Sequence, residues 1–220
     1  MKFEMKFESI FLGQSVIKYQ VPLEIFVGLN ELYETKKKHL PNASKQLSGK
    51  ISDEVSLFYA GPTNKKMHQH NYISEDIFKW FYSIFDHYLK WNKTMDYKMD
   101  MNSMWVNEMK AGDYNPVHIH QGKLFTGLSS VMILKLPKDM GPEIARPDQP
   151  TNGQLQILGN VAGQFATTDY SPQMKIGDFY IFPYDVRHVV YPFTNKKEKR
   201  RTLVCNMDVE YNPVSSRTAG

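Results

Sequence analysis

Four of the chain's seven histidines fall in two His-x-His pairs, His68/His70 and His118/His120. In a strand, residues i and i+2 point to the same face about 6.5–7 Å apart, so such a pair can aim two imidazoles at one metal ion. The first pair stands in "GPTNKKMHQHNYISED", a polar linker running toward a helix cap, and reads as solvated loop histidines. The second, in "NPVHIHQG", stands at a strand boundary just before a long apolar strand, where an all-β scaffold presents ligands. A metal site there needs a third partner. His188 in "GDFYIFPYDVRHVVYPF" supplies it, opening a strand after a Pro-containing corner. His39 and His87 lie within or at the end of helices and read as surface or half-buried residues.

Twelve residues beyond His188 comes "RRTLVCN". Strand alternation puts Arg200, Thr202 and Val204 on one face and Arg201, Leu203 and Cys205 on the other. An arginine followed by a threonine on one face suits a carboxylate: the guanidinium forms a bidentate ion pair and the hydroxyl adds a hydrogen bond. Lys196–Lys199 read as a solvated basic turn.

The elements that must position these groups change character along the chain. Residues 1–95 read mainly as helix. Leu23, Phe26, Leu29, Leu32 and Tyr33 form one apolar stripe after Pro22, and Ser74 caps a second helix whose buried face is Ile77, Phe81, Ile84, Phe85 and Tyr88. From residue 96 the period becomes two. Trp105, Asn107 and Met109 share one face of a strand, opposite Val106, Glu108 and Lys110. "LFTGLSSVMILKLP", "GQLQILG", "KIGDFYIFPYD", "HVVYPF" and "RRTLVCNMDVEY" follow as short strands between turn clusters, which indicates an antiparallel sandwich or barrel. Residues 137–153 are too polar and Pro-rich for either element, and a loop of that length is a lid, a binding loop or disordered. The organisation expected is a helical region over 1–95, a β domain over 96–212 and a flexible tail over 213–220.

At 220 residues the chain can bury one substantial core, and a net charge of +4 is too mild to argue for nucleic acid. The single cysteine, Cys205, excludes an intrachain disulfide and a Cys-rich zinc site, which fits a reducing compartment. The N-terminal stretch carries acidic residues where a signal peptide needs an apolar core, and no run approaches the ~18 apolar residues of a membrane span. A cytoplasmic protein with no nucleic-acid or membrane partner is expected. The aromatic helices of the first half suit a one-sided core or a homodimer surface.

The ordered strings "MWVNEMKAGDYNPVHIHQG", "GDFYIFPYDVRHVVYPF" and "RRTLVCN" resemble the prolyl-4-hydroxylase-like superfamily of 2-oxoglutarate/Fe(II)-dependent oxygenases, in its phage and bacterial group. The likeness covers about residues 104–208. It implies a double-stranded β-helix, the jelly-roll or cupin-like barrel, mainly β with N-terminal supporting helices. It also implies Fe(II), 2-oxoglutarate and O2 as cofactor and cosubstrates, with His118 and His188 as iron ligands. Arg200 would take the far carboxylate of 2-oxoglutarate, with Thr202 beside it and Arg201 as the rival clamp. Asn107 would join them in binding 2-oxoglutarate, with Trp105 and Asp113 as further pocket residues. One departure stands out: the superfamily's usual His-x-Asp/Glu…His set has His120 in the carboxylate position. Either His120 ligates, or a carboxylate comes from Asp113 or Glu108.

The function implied is a dioxygenase hydroxylating a protein, peptide or small-molecule substrate, with a peptidyl proline as one class. Two rivals remain. One is a jelly-roll metal-binding protein, a cupin-like isomerase or sensor holding Zn, Mn or Ni without 2-oxoglutarate chemistry. The other is a binding module that kept the barrel and lost the chemistry.

Overall fold

A computed structural model describes residues 5–11, 14–44, 48–61, 70–146, 148–159 and 168–212. His68 and the tail 213–220 lie outside the described residues. Among the described residues, twelve strands form two sheets, and two helices cover the outer face of the larger sheet.

The helices follow their local signals. Helix α1 spans Leu23–Lys36 behind Pro22, and α2 spans Glu75–Trp91, with the Ser74 hydroxyl accepting from Ile77 N–H. In α2 the buried face includes all five expected residues and adds Trp80 and Leu89. In α1 the stripe is turned: Ile25, Leu29 and Tyr33 are buried, Phe26 and Leu32 only partly, and Leu23 is exposed. Spacing alone leaves that rotation open, because at about 100° per residue Ile25 and Leu23 lie at opposite edges of the stripe and only the sheet beneath selects one.

The first 95 residues are more than helix. They supply β1 (Lys6–Phe11), β2 (Ser15–Gln20), β3 (Asp53–Tyr59) and the short β4 (His70–Asn71). These join β5 (Tyr97–Met109), β7 (Gly127–Lys135), β10 (Asp178–Pro183) and β12 (Arg200–Tyr211) in an eight-stranded sheet ordered β1-β2-β10-β7-β12-β5-β3-β4. Facing it, β6 (Asn115–His118), β8 (Leu155–Leu158), β9 (Asp169–Tyr170) and β11 (Arg187–Val190) form a sheet ordered β6-β11-β8-β9. Every pairing is antiparallel.

Two cores result. Met104, Val106, Leu203 and Cys205 meet Trp80, Phe81 and Phe85 of α2 beneath the large sheet. Val131, Ile133, Tyr180, Phe182, Ile157 and Phe193 pack between the two sheets. This is the jelly-roll barrel, and one end of the space between its sheets is left open as a cavity. The 137–153 loop is internally bonded: Glu143 accepts from the backbone of Ile144, Ala145, Thr151 and Asn152. None of its described residues lines the cavity. Among the described residues, no helix is long and apolar enough to cross a membrane.

Candidate active site

The cavity, about 640 Å³, falls within the roughly 300–1,000 Å³ usual for small-molecule sites. Strand pleat decides what faces it. Trp105, Asn107 and Met109 of β5 line it, as do Arg200, Thr202, Val204 and Asn206 of β12. Of their neighbours of opposite parity, Met104, Val106, Leu203 and Cys205 enter the core under the helices.

On the small sheet, His188 of β11 is the direct cross-strand partner of His118 of β6. His120 lies just past β6, held by its N–H donating to the Tyr184 carbonyl at 2.9 Å. The turn after it is fixed by Asp208, which accepts from Lys123 N–H at 2.9 Å and from the Tyr184 hydroxyl at 3.0 Å. Gly122 in that turn approaches Asp208 so closely that a Cβ would overlap the carboxylate. One ligand atom from each of His118, His120 and His188 lies within 4.8 Å of the others.

The rings are set for coordination. His118 Nδ1 stands 2.7 Å from the Pro116 carbonyl oxygen, and His188 Nδ1 stands 3.1 Å from that of Val186. A carbonyl only accepts, so each Nδ1 carries the proton and each Nε2 keeps its lone pair. His120 Nε2 and His188 Nε2 face each other at 3.1 Å. Burial first, and then the neighbouring histidines, hold His120 well below the usual imidazole range. Burial and then His118 push His188 down to about 3, and burial lowers His118. Neutral imidazoles are the metal-binding form. His120 Nδ1 lies 3.5 Å from Asn206 Nδ2, and Asn206 Oδ1 accepts from the Ser129 hydroxyl at 2.8 Å. A hydroxyl can donate or accept, so the amide can present its oxygen to His120 Nδ1–H and free Nε2 for an ion.

The two carboxylates considered as a third ligand lie elsewhere. Glu108 faces away from the cavity and is paired with Lys199 and with Arg201. Asp113 accepts from Ser52 N–H at 2.8 Å and Lys110 N–H at 2.9 Å, closing a turn. Neither joins the histidine group, and neither lines the cavity, so the expectation of Asp113 at the pocket is corrected.

The two arginines are equally distinct. Arg201 makes two bonds to Glu108 Oε2, at 2.9 and 2.6 Å, reaches Glu34 at 2.5 Å and lies 4.1 Å over the Tyr33 ring. Arg200, 1% exposed, faces the cavity, and among the described residues no carboxylate meets it. Its Nη atoms reach only the sulfurs of Met109 and Met174, at 3.4 and 3.5 Å, and Nε has no partner. Burial lowers its pKa to about 10.

Among the described residues, five buried side-chain polar atoms lack a partner: Glu54 Oε1, Trp105 Nε1, Asn107 Oδ1, Asn115 Oδ1 and Arg200 Nε. All five belong to residues lining this cavity. Native interiors rarely leave such atoms unmet, so together they mark a place for a polar ligand. The three histidines and the buried guanidinium suit a ferrous ion and a dicarboxylate cosubstrate.

Residues 103–206 match the family model described as "Putative 2OG-Fe(II) oxygenase". The barrel is that of the 2OG-Fe(II) oxygenases. The chain is accordingly an oxidoreductase that uses Fe(II), 2-oxoglutarate and O2. No match was found among curated proteins. Solved structures of the same fold include a Pseudomonas putida prolyl-4-hydroxylase (13% identity, 89% of this chain and 92% of that one, TM-score 0.52). A 2OG-Fe(II) oxygenase family oxidoreductase from Burkholderia pseudomallei aligns at 13% identity over 87% and 84% of the two chains, with a TM-score of 0.53. A Trichoplax adhaerens prolyl hydroxylase, in complex with a hypoxia inducible factor peptide fragment, aligns at 11% identity over 93% and 87%, with a TM-score of 0.52.

Sequence reasoning missed two groups in this oxygenase cavity. Asn115 stands inside a motif already quoted, 3.3 Å from His118 Nε2. Glu54 stands on β3, in a segment read as part of a helical region. The period-two alternation of Glu54 and Ser56 against Val55 and Leu57 is the signal that could have found it.

Proposed function

We propose that the chain is an Fe(II)- and 2-oxoglutarate-dependent hydroxylase whose iron is held by His118, His120 and His188. Arg200 binds the far carboxylate of 2-oxoglutarate. The observation that carries this reading is the Arg200 guanidinium: buried, facing the cavity and, among the described residues, without an anion. An isolated buried charge is costly, and a bidentate carboxylate offsets that cost. Thr202, its strand neighbour on the same face, adds a hydroxyl, and Asn107, the cross-strand partner of Thr202, adds an amide.

Bound at the histidines, Fe(II) supplies the dioxygen-activating redox chemistry that couples decarboxylation of 2-oxoglutarate to succinate with hydroxylation of a C–H bond. The chain's own residues orient and insulate. Carbonyl acceptors on His118 and His188 fix their tautomers, Arg200 fixes the length along which 2-oxoglutarate lies, and the apolar walls at Val131, Val190 and Val204 exclude water. Prolyl hydroxylases stand among the proteins of this fold, which makes a peptidyl proline the first substrate class to try. The reading includes a cytoplasmic setting, consistent with a single buried cysteine.

The test is anaerobic Fe(II) titration with and without 2-oxoglutarate, monitoring the weak visible charge-transfer band of the chelated complex. The band should need both components, vanish in His118→Ala and weaken sharply in Arg200→Ala. His120→Ala decides the third ligand. Tight metal binding without any band would instead favour a cupin-like metalloprotein.

A further inference from the structure

Resting on the oxygenase reading above, we propose that Glu54 reads the primary substrate, and that this substrate presents to it a cationic nitrogen, a guanidinium or an ammonium group. Glu54 is 4% exposed, lines the cavity and leaves Oε1 without a partner. Its cross-strand partner is Asn107, whose Oδ1 is also unmet. Directly paired residues have Cβ atoms roughly 5 Å apart, so two buried acceptors stand side by side awaiting a donor.

Among the described residues, no cation fills that role. Arg200 lies on β12 with β5 between it and β3, about 10 Å away at two strand spacings. Arg201 and Lys199 are committed to Glu108 on the opposite face. The nearby charges are acidic. Asp53 accepts from the Tyr33 hydroxyl at 3.3 Å, and Asp113 is locked by backbone N–H groups. Burial, and after it Asp113 and Asp53, pushes the Glu54 carboxyl up to about 7. An incoming cation relieves both the burial and the repulsion. The cavity therefore has two ends of opposite character: Arg200 suits the anionic cosubstrate, and Glu54 suits a positively charged part of the molecule to be hydroxylated.

The test uses the protein loaded anaerobically with Fe(II) and 2-oxoglutarate, its charge-transfer band confirmed beforehand. Methylguanidinium chloride is titrated against its neutral isostere N-methylurea at matched ionic strength, with apparent affinity read from the thermal midpoint. Wild type should bind methylguanidinium at least about tenfold more tightly, the scale of one charge-assisted hydrogen bond. Glu54→Gln, keeping its band, should lose that preference. Equal affinity for the two probes in wild type overturns the proposal, and so does a preference that survives in Glu54→Gln. The wild-type comparison decides by itself should Glu54→Gln not fold. Absence of the band in wild type overturns the oxygenase reading itself, an outcome distinct from a band with no discrimination between probes.

Discussion

His118 and His188 face each other across the β6–β11 pair, and each binds by Nδ1 the carbonyl two residues earlier in the chain. The same local hydrogen bond, used twice, turns both Nε2 atoms toward the cavity. His120 lacks such a carbonyl, and its Nδ1 has the Asn206 amide as its neighbour.

That difference makes Asn206 a positioning residue for one ligand. Asn206→Leu should lower Fe(II) affinity by roughly 10–100-fold, the usual cost of losing an outer partner of a ligating histidine. Asn206→Asp should retain most of it, because a carboxylate accepts the Nδ1 proton at least as well. Competition titration with a chelator measures both. Equal affinity in all three proteins would show that His120 is oriented by its backbone alone.

Arg200 trades stability for binding. Arg200→Met should raise the stability of the ligand-free protein by about 1–2 kcal/mol, since an unpaired buried cation is replaced by an apolar side chain. With 2-oxoglutarate at a hundred times its dissociation constant, the wild type should gain about 2.7 kcal/mol and the variant nothing at the same concentration. Thermal melts with and without 2-oxoglutarate separate the two effects. A variant that still responds to 2-oxoglutarate would place the carboxylate elsewhere.

Arg201 should behave in the opposite way. Burial alone would raise the Glu108 pKa, yet bonds from Lys199 and Arg201 hold it below the usual carboxylate range. Arg201→Ala leaves that buried carboxylate with Lys199 alone and should cost about 1–3 kcal/mol. The 2-oxoglutarate affinity of the folded protein should not change. Denaturant unfolding reports the first and the charge-transfer titration the second.

Acid should destabilise the metal-free protein through its histidines. The folded His188 sits at about 3 against an ordinary value of 6.5, with His118 and His120 shifted the same way. Below the ordinary value the unfolded chain binds more protons than the folded one. Stability is therefore complete above about pH 6.5 and is lost as pH falls toward about 3. The melting temperature should drop from about pH 7 to about pH 5, and His188→Leu should flatten that slope. Parallel slopes in the two proteins would assign the acid sensitivity to other groups.

The sequence by itself determined what depends on period and type. Alternation in "MWVNEM" and "RRTLVCN" separated Trp105, Asn107, Arg200 and Thr202 from Val106, Glu108, Arg201 and Leu203, because a strand has only two faces and the pleat assigns them. Ser74 and the apolar stripe behind it defined α2 for the same local reason. Which face meets which partner was decided only in three dimensions. Both arginines are alike in sequence, and pairing with Glu108 and Glu34 took Arg201 out of the cavity while Arg200 was left facing His118, His120 and His188. Glu54 became a cavity residue because β3 pairs with β5, an arrangement joining segments about 50 residues apart that no local pattern encodes. Chemistry-bearing types at short spacing are visible in one dimension. A charge's partner, and so its role, is set by the long-range pairing of strands.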